Sequence, residues 1–437
     1  MPPNHSKAMP VLIITLILAC SLPCPAAQPD AGKLLQEQRQ QVPQVPQRPP
    51  QAVEKDGERT PLGDTVSKVL VQGFVFSGIE GLATEAELSK LVEDAIGREL
   101  GFAELQGLAE RVTRYLRDDK GYLLARAYLP KQDITGGIIE IAVIAGRIEG
   151  KARIDVRAPS RIHQPLLEGL AGRSVPEDRP ARLKDIERAV LLMNDLPGIS
   201  AHASLERGET PGASRLVITA REGPAAGAVL AFDNYGDRYT GVRRGIVQLA
   251  ANDPCGLGDQ LSAGLTLAKN LYQARGAYSL PLGATGATWS MHASHLDYEL
   301  GSDMEDLEAD GSARTLGTTL GYPLLRTRTA SLWAGVGYEH LVLKDEALGA
   351  ETRTRRLPVG NASLSGSFFD RLGGGGISSL MLELYRGDLD ISPSESEEAD
   401  AMGPRTKGGF LRATYAVARL QRLTSDISLL ASVRGQV

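Results

Sequence analysis

The chain has 437 residues, with 48 Lys and Arg against 53 Asp and Glu and a formal net charge of −5. That length exceeds what one hydrophobic core supports and predicts two or three domains, and the acidic balance argues against a general nucleic-acid binder. One segment alone is apolar all round, at the N-terminus, which excludes a helical membrane protein but not one that crosses with alternating strands.

Residues 1–28 read as an export signal: Lys7 and the amino group give a positive start, Val11 to Ala19 an apolar run too short to span a bilayer, and Cys24-Pro25-Ala26-Ala27 a small-residue cleavage stretch. A lipoprotein reading puts lipid on Cys20, and a short buried helix is the third alternative. With Cys20 and Cys24 removed, Cys255 stands alone, without a disulfide partner or metal-ligand spacing, and reads as a turn residue. Residues 29–41 favour a short polar helix whose large apolar groups are Leu34 and Leu35, too few for it to stand by itself. Pro43, Pro46, Pro49 and Pro50 make residues 42–64 an extended tether. Composition favours a tail over a mobile insert.

Residues 65–149 carry globular patterning. KVLVQGFVFSGI reads as one strand, Thr84-x-x-Glu87 as a capping box, and Leu88, Leu91, Val92, Ala95 and Ile96 follow helical spacing. A second helix holds Phe102, Leu105, Ala109, Val112 and Leu116. The strands YLLARAYLP and GGIIEIAVIAG follow, the latter with Ile139, Ile141 and Val143 on one face. Residues 150–223 repeat the order: GKARIDVRA, the helix HQPLLEGLAG, a longer helix with Leu183, Ile186, Val190 and Met193, then ISAHASLE and SRLVITAR. Both halves read β-α-α-β-β, an internal repeat of two small α+β domains.

From residue 225 to 437 helical periodicity gives way to period two. Leu261, Ala263, Leu265 and Leu267 share one face of a strand, and Ser262, Gly264 and Thr266 the other. Tyr272, Ala274, Gly276, Tyr278 and Leu280 oppose Gln273, Arg275 and Ser279, and Trp289, Met291 and Ala293 oppose Ser290, His292 and Ser294. Ile427, Leu429, Ala431 and Val433 oppose Ser428, Ser432, Arg434 and Gln436. One apolar face and one of Gly, Ser, Thr and Arg suit lipid outside and a wet lumen inside. About eleven such strands approach the ~9–11 residues a tilted membrane strand needs. Alternate connections are long and acidic (LGSDMEDLEADGSA, KDEALGAET, GDLDISPSESEEADAMGPRTK) and the others short (NDPCGLGD, GATG, LRTRT, RLGGGG, LTSD), the asymmetry of an outer-membrane barrel. The acidic runs Asp303–Asp310 and Glu395–Asp400 read as solvated loops and Gly373–Gly376 as a hairpin turn. An odd strand count and an end inside a strand lead to the expectation of a piece of a longer protein.

Several residue runs carry a resemblance. In the first α+β domain they are Gly121-Tyr122, Arg126-Ala127, Pro130, Gln132, Ile134, Gly137-x-Ile139-x-Ile141-x-Val143 and Gly146. In the second they are Glu187-Arg188, Leu192, Asn194-Asp195-Leu196-Pro197-Gly198 and Pro211-Gly212-x-Ser214-x-Leu216. At the start of the strand-rich region they are Asp233-Asn234-x-Gly236, Gly241, Arg243 and Asn252-x-Pro254-x-Gly256-x-Gly258-Asp259. With these the chain resembles the outer-membrane transporters of two-partner secretion, the hemolysin-activator and filamentous-hemagglutinin-transporter group of the Omp85 superfamily. The resemblance implies a fold of mixed class, α+β then all-β: two tandem POTRA domains and an antiparallel transmembrane β-barrel, here incomplete. Two departures stand out. Pro254-Cys255-Gly256 replaces the usual Pro-Leu-Gly, and Val433-Arg434-Gly435 only mimics the motif of the family's long sixth loop, which with the last five strands is missing.

The resemblance further implies a location in the outer membrane of a Gram-negative bacterium, with the POTRA domains in the periplasm. One partner exoprotein, an adhesin, hemolysin or heme-acquisition protein, would be gripped unfolded by strand addition at POTRA edges and passed to the surface without nucleotide or cofactor. Segment 30–41 would act as a plug. Arg275, Arg412 and Arg434 read as lumen-facing, either guiding the client or merely hydrogen-bonded inward, and His292 shares their face. No H-E-x-x-H, paired metal ligands or G-x-S-x-G elbow is present, so no enzyme is expected. An assembly factor for other barrels is the alternative function, and a diffusion porin the third.

Overall fold

A computed structural model describes residues 12–17, 30–39, 68–134, 136–177, 179–210 and 212–437. The expected cleavage stretch, the proline tether and Pro211 lie outside the described residues. The chain forms two compact units.

The larger unit begins with strand β1 (Leu12–Ile17) and helix α1 (Ala31–Arg39). Residues 12–17 of the expected export signal are thus extended.

The second unit holds both α+β modules. In the first, β2 (Lys68–Leu70) and β3 (Gly73–Ser77) precede α2 (Glu85–Val92), β4 (Glu99–Gly101) and α3 (Phe102–Arg114), followed by β5 (Arg126–Tyr128) and β6 (Ile138–Ile144). The expected single strand over 68–79 is therefore broken. β2 pairs antiparallel with β4, a strand the periodicity did not show, whereas β3 runs parallel to β6. Between them Val71 is fully buried, and its N–H donates to Arg98 O at 3.0 Å. The core gathers Leu88, Val92, Leu105, Val112, Leu116, Ile139 and Ile141. The capping box at α2 closes reciprocally: Glu87 N–H donates to Thr84 Oγ1 at 3.3 Å and Thr84 N–H to Glu87 Oε2 at 3.0 Å.

The second module runs β7 (Arg147–Ile148), β8 (Arg153–Arg157), α4 (Gln164–Ser174), α5 (Leu183–Asn194), β9 (Ile199–Arg207) and β10 (Ala213–Glu222). β10 is central, antiparallel to β9 on one side and parallel to β7 and β8 on the other. Six residues of α5 are buried, among them Ile186, Val190 and Met193, as its 3.6-residue spacing requires.

The larger unit resumes as a strand meander. It comprises β11 (Ala226–Asp233), β12 (Arg244–Asn252), β13 (Gln260–Ala268), β14 (Leu271–Pro281), β15 (Thr288–Glu299) and β16 (Asp310–Arg326), then β17 (Ala330–Ala347), β18 (Ala350–Asp370), β19 (Gly376–Ser392), α6 (Ser394–Met402), β20 (Gly408–Arg422) and β21 (Ile427–Gln436). Each of these eleven strands pairs antiparallel with its sequence neighbour, and β1 adds in parallel to β21. Two expected loops are corrected. KDEALGAET is almost wholly strand, because β17 and β18 continue to a two-residue turn at Leu348-Gly349, both with positive φ. Glu395–Asp400 is helical rather than looped, and Asp303–Leu307 lies in a short 3₁₀ turn. Gly373, Gly374 and Gly375 form a left-handed turn between β18 and β19, as expected.

Candidate functional site

Helix α1 rests on the sheet. Ala31, Leu34 and Leu35 are buried among Leu271, Leu296, Leu300 and Leu343. Its first turn, whose N–H groups have no intrahelical partner, is clamped from the wall. Lys33 N–H donates to Asp30 Oδ1 at 2.8 Å and Ala31 N–H to Asp345 Oδ1 at 3.0 Å. The Tyr298 hydroxyl donates to that same Asp345 oxygen at 2.7 Å. Arg355 Nη2 then bridges Asp345 Oδ2 at 2.9 Å and Asp30 Oδ2 at 3.1 Å. Sequence reading found Leu34 and Leu35 but missed Asp345, Arg355 and Tyr298, which lie some 300 positions away with no local signature. Asp30 before a helix was the one legible cue.

Ladder register puts the four expected lumen residues on the face that carries α1. Arg275 and His292 sit four residues from Leu271 and Leu296, which touch the helix. Arg412 pairs across from Tyr385, and its guanidinium stacks 4.6 Å over that ring. Arg434 lies opposite Ala416. His292 and Arg412 are held rather than loose. His292 Nε2 lies 3.2 Å from Glu339 Oε1, across Gly317, where a β-carbon would crowd the imidazole. Arg275 lies flat over Gly264, and a β-carbon there would come within 2.5 Å of its Nε. The opposite face carries exposed Leu261, Met291, Leu316, Leu320, Val336 and Leu384.

The entrance run separates to the two ends of β12. At one end Arg244 grips Asp233 with two bonds, 2.9 and 3.1 Å, while the expected Arg243 and Asn234 are exposed. Gly236 abuts the Gly241 carbonyl so closely that no side chain fits. At the other end Asn252 to Asp259 form a tight turn. Gly258 N–H donates to Asp253 Oδ1 at 2.6 Å, Cys255 N–H to Asp259 Oδ1 at 3.1 Å, and the Tyr278 hydroxyl to Asp259 Oδ2 at 3.0 Å. Gly256 and Gly258 take positive φ there, and Pro254 is exposed. The Asp259 carboxylate pushes the exposed Cys255 thiol up. The Leu196–Gly198 segment belongs to this same unit. Gly198 has φ +76°, accepts from Gly223 N–H at 2.7 Å, and leaves room for Asn252, whose Cβ would lie 3.0 Å from an added β-carbon. The Asn194 side chain clamps Ala201, donating to its O at 3.0 Å and accepting from its N–H at 2.7 Å, while Asp195 and Pro197 make the turn.

The motif residues of the first module also hold turns and joints. Gln132 brackets the Glu140 peptide, donating at 2.8 Å and accepting at 2.7 Å. Gly146, at φ +63°, packs on Leu124. Gly121 O accepts from Leu183 N–H at 2.9 Å, and Leu123 N–H donates to Ala181 O at 3.0 Å. The Tyr122 hydroxyl donates to Gly81 O at 2.7 Å and accepts from Arg182 at 2.9 Å, with the guanidinium 5.1 Å over the ring. These contacts stitch the two modules together. Arg126 is exposed on β5, an outer strand of its sheet, and Pro130 follows half-buried. β8 and β9 are the outer strands of the second module.

Among the described residues no helix is long and apolar enough to cross a membrane, and no three His, Cys, Asp or Glu gather to hold a metal. Comparison with known proteins agrees with the strand architecture. Residues 69–146 match the model of the ShlB-type POTRA domain, and residues 212–436 that of the haemolysin secretion/activation protein ShlB/FhaC/HecB. The heme/hemopexin transporter protein HuxB of Haemophilus influenzae is 24% identical over 443 residues, covering 100% of this chain and 77% of its own. The outer membrane transporter CdiB of Escherichia coli O6:K15:H31 (strain 536 / UPEC) is 29% identical over 300 residues, covering 64% of this chain and 49% of its own. Among solved structures, CdiB from Escherichia coli superposes with a TM-score of 0.63 at 22% identity, over 87% of this chain and 70% of that one. CdiB from Acinetobacter baumannii gives 0.54 at 16%, over 93% and 74%. Both show the shared fold.

Proposed function

The chain belongs to the haemolysin secretion/activation family of ShlB, FhaC and HecB, and from that premise we propose that it exports one unfolded exoprotein of adhesin, hemolysin or heme-acquisition type through its strand wall. Family members are transporters of the outer membrane with periplasmic POTRA domains. The observation that carries the reading is the union in one chain of modules with open strand edges and a sheet whose polar, charge-paired face seats a helix.

Outer strands β8 and β9 offer edge backbone N–H and C=O groups, to which an extended client adds by main-chain hydrogen bonds with little demand on its sequence; at β5, where Ala127 N–H donates to Thr113 Oγ1 at 2.9 Å, and at Ala201 of β9, held by Asn194, it adds by displacing those side chains. On the wall, Arg275, His292, Arg412 and Arg434 line the client's path, His292 beside Glu339 and Arg412 over Tyr385. Helix α1 is the plug. Its seat of leucines and the Asp30–Arg355–Asp345 clamp close the path until a client displaces it. The Asp233–Arg244 hairpin and the Asn252–Asp259 turn are structural braces at the two ends of β12. Surrounding lipid contacts the apolar face.

Photo-crosslinkers placed singly at Arg126 and Tyr128 of β5 and at Arg153 and Arg157 of β8, in cells that also make the co-encoded exoprotein, test the reading. Adducts to the exoprotein are expected from one edge or both. A scan without an adduct at any of the four positions refutes client capture by these strands.

A further inference from the structure

We propose that the lipid-facing side of the wall holds a phosphate-bearing headgroup of an outer-leaflet glycolipid on Arg314. The inference does not depend on client export; it needs only the outer-membrane location.

Because the modules that precede β11 are periplasmic, the connections after β11, β13, β15, β17 and β19 lie at the cell surface. Arg314 is four residues into β16 from that end, opposite His295 of β15. His295 adjoins Leu296, which faces α1, so His295 and Arg314 point the other way, toward lipid. Toward the periplasm on the same face come Leu316, Leu320 and Tyr322, 57%, 41% and 42% exposed, the apolar belt. Arg314 thus stands where the belt gives way to headgroups.

Its surroundings are built for an anion with an apolar tail. The Arg314 side chain is exposed and makes no hydrogen bond or ion pair among the described residues, unlike Arg355, Arg356, Arg244 or Arg419 elsewhere on the sheet. The acidic group closest in register, Asp297, is engaged by His295 at 2.7 Å. Lys344 is taken by Glu346 and Glu351. Below Arg314 and His295 the surface dips shallowly, with Arg275 and Ser294 at its margin, over Ala274, Gly276 and Ala293. Their short side chains leave space for an acyl chain along the strands. At the membrane interface a guanidinium is tolerated on the lipid face, and a headgroup phosphate there accepts two parallel N–H···O bonds from it. A phosphorylated amphiphile matches both parts of the site; a free phosphate matches only one.

The test uses the full chain in detergent, with bis-phosphorylated lipid A as the probe and native mass spectrometry as the readout. Wild type should retain lipid A. Arg314→Gln should lower the apparent affinity about tenfold, the loss of one charge-assisted bidentate contact. Arg314→Lys should keep part of it, and Arg371→Gln, an exposed arginine at the periplasmic turn, should change nothing. Heat-modifiable migration on gels reports folding of each variant. Equal retention by folded Arg314→Gln and wild type, equal retention of dephosphorylated lipid A, or displacement by millimolar inorganic phosphate would each overturn the proposal.

Discussion

Replacing Leu34 by Ala probes whether α1 is a closure that can leave its seat. The side chain is 2% exposed when seated and returns to water when the helix departs. The transfer term therefore sets the least loss, to which any void left in the seat adds. Three carbons at about 0.8 kcal/mol each give about 2.4 kcal/mol, and at 1.4 kcal/mol per tenfold this shifts the seated-to-released ratio roughly fiftyfold. Leu35, 4% exposed, should respond alike, but the pair shares one pocket and the double variant should fall short of additivity. The polar clamp contributes less. Asp30 is 36% exposed, so its ion pair with Arg355 is partly screened, and Asp30→Asn should cost about 1 kcal/mol. Planar-bilayer conductance and the mobility of a spin label on exposed Lys33 report the position of the helix. Leu34→Ala should lengthen open intervals and loosen the label, and Gln36→Ala, at an exposed position of the same helix, should do neither. Wild-type conductance together with an unaltered label in Leu34→Ala would refute the idea of a leucine-held plug.

Gly146→Ala should destabilise the first module by about 2–4 kcal/mol, since the residue sits at φ +63° and a β-carbon would lie 2.6 Å from the Leu124 carbonyl oxygen; thermal unfolding of the full chain reads it. At the surface, Asp400 accepts from the Thr406 hydroxyl and from the Lys407 and Thr406 N–H groups, which hold its carboxyl below the usual range. Its contribution to ordering residues 394–407 should be complete above the ordinary carboxylate value and vanish only as pH falls through the depressed one; hydrogen exchange against pH checks this, and Asp400→Ala should remove the dependence.

The wall was legible because period two leaves little choice when one face must be apolar: Leu261, Met291 and Leu316 alternate with Ser262, His292 and Thr315 wherever pairing is seen. The α2 start was legible because both halves of its capping box are local. The break between β2 and β3 was hidden, since Val71 and Gln72 are turned by Arg98 and Gly137, residues far along the chain. The β17–β18 turn was hidden because Leu348 occupies a left-handed position where glycine or asparagine is usual. α6 lacks an apolar stripe and is fixed at its end by Asp400, so only the fold reveals it. The resemblance singles out Arg243, whereas strand parity, which no local pattern announces, brings the adjacent Arg244 to Asp233.

The stitching of Gly121, Tyr122 and Leu123 to Ala181, Arg182 and Leu183 carries a consequence for cargo choice. Hinging there would break several bonds at once, so the strands β5 and β8 keep a constant spacing. On the proposed client capture the pair would work as a caliper: a polypeptide docking on both would need its two docking stretches at a matching interval, and inserting or deleting residues between them would abolish double engagement while leaving each stretch unchanged.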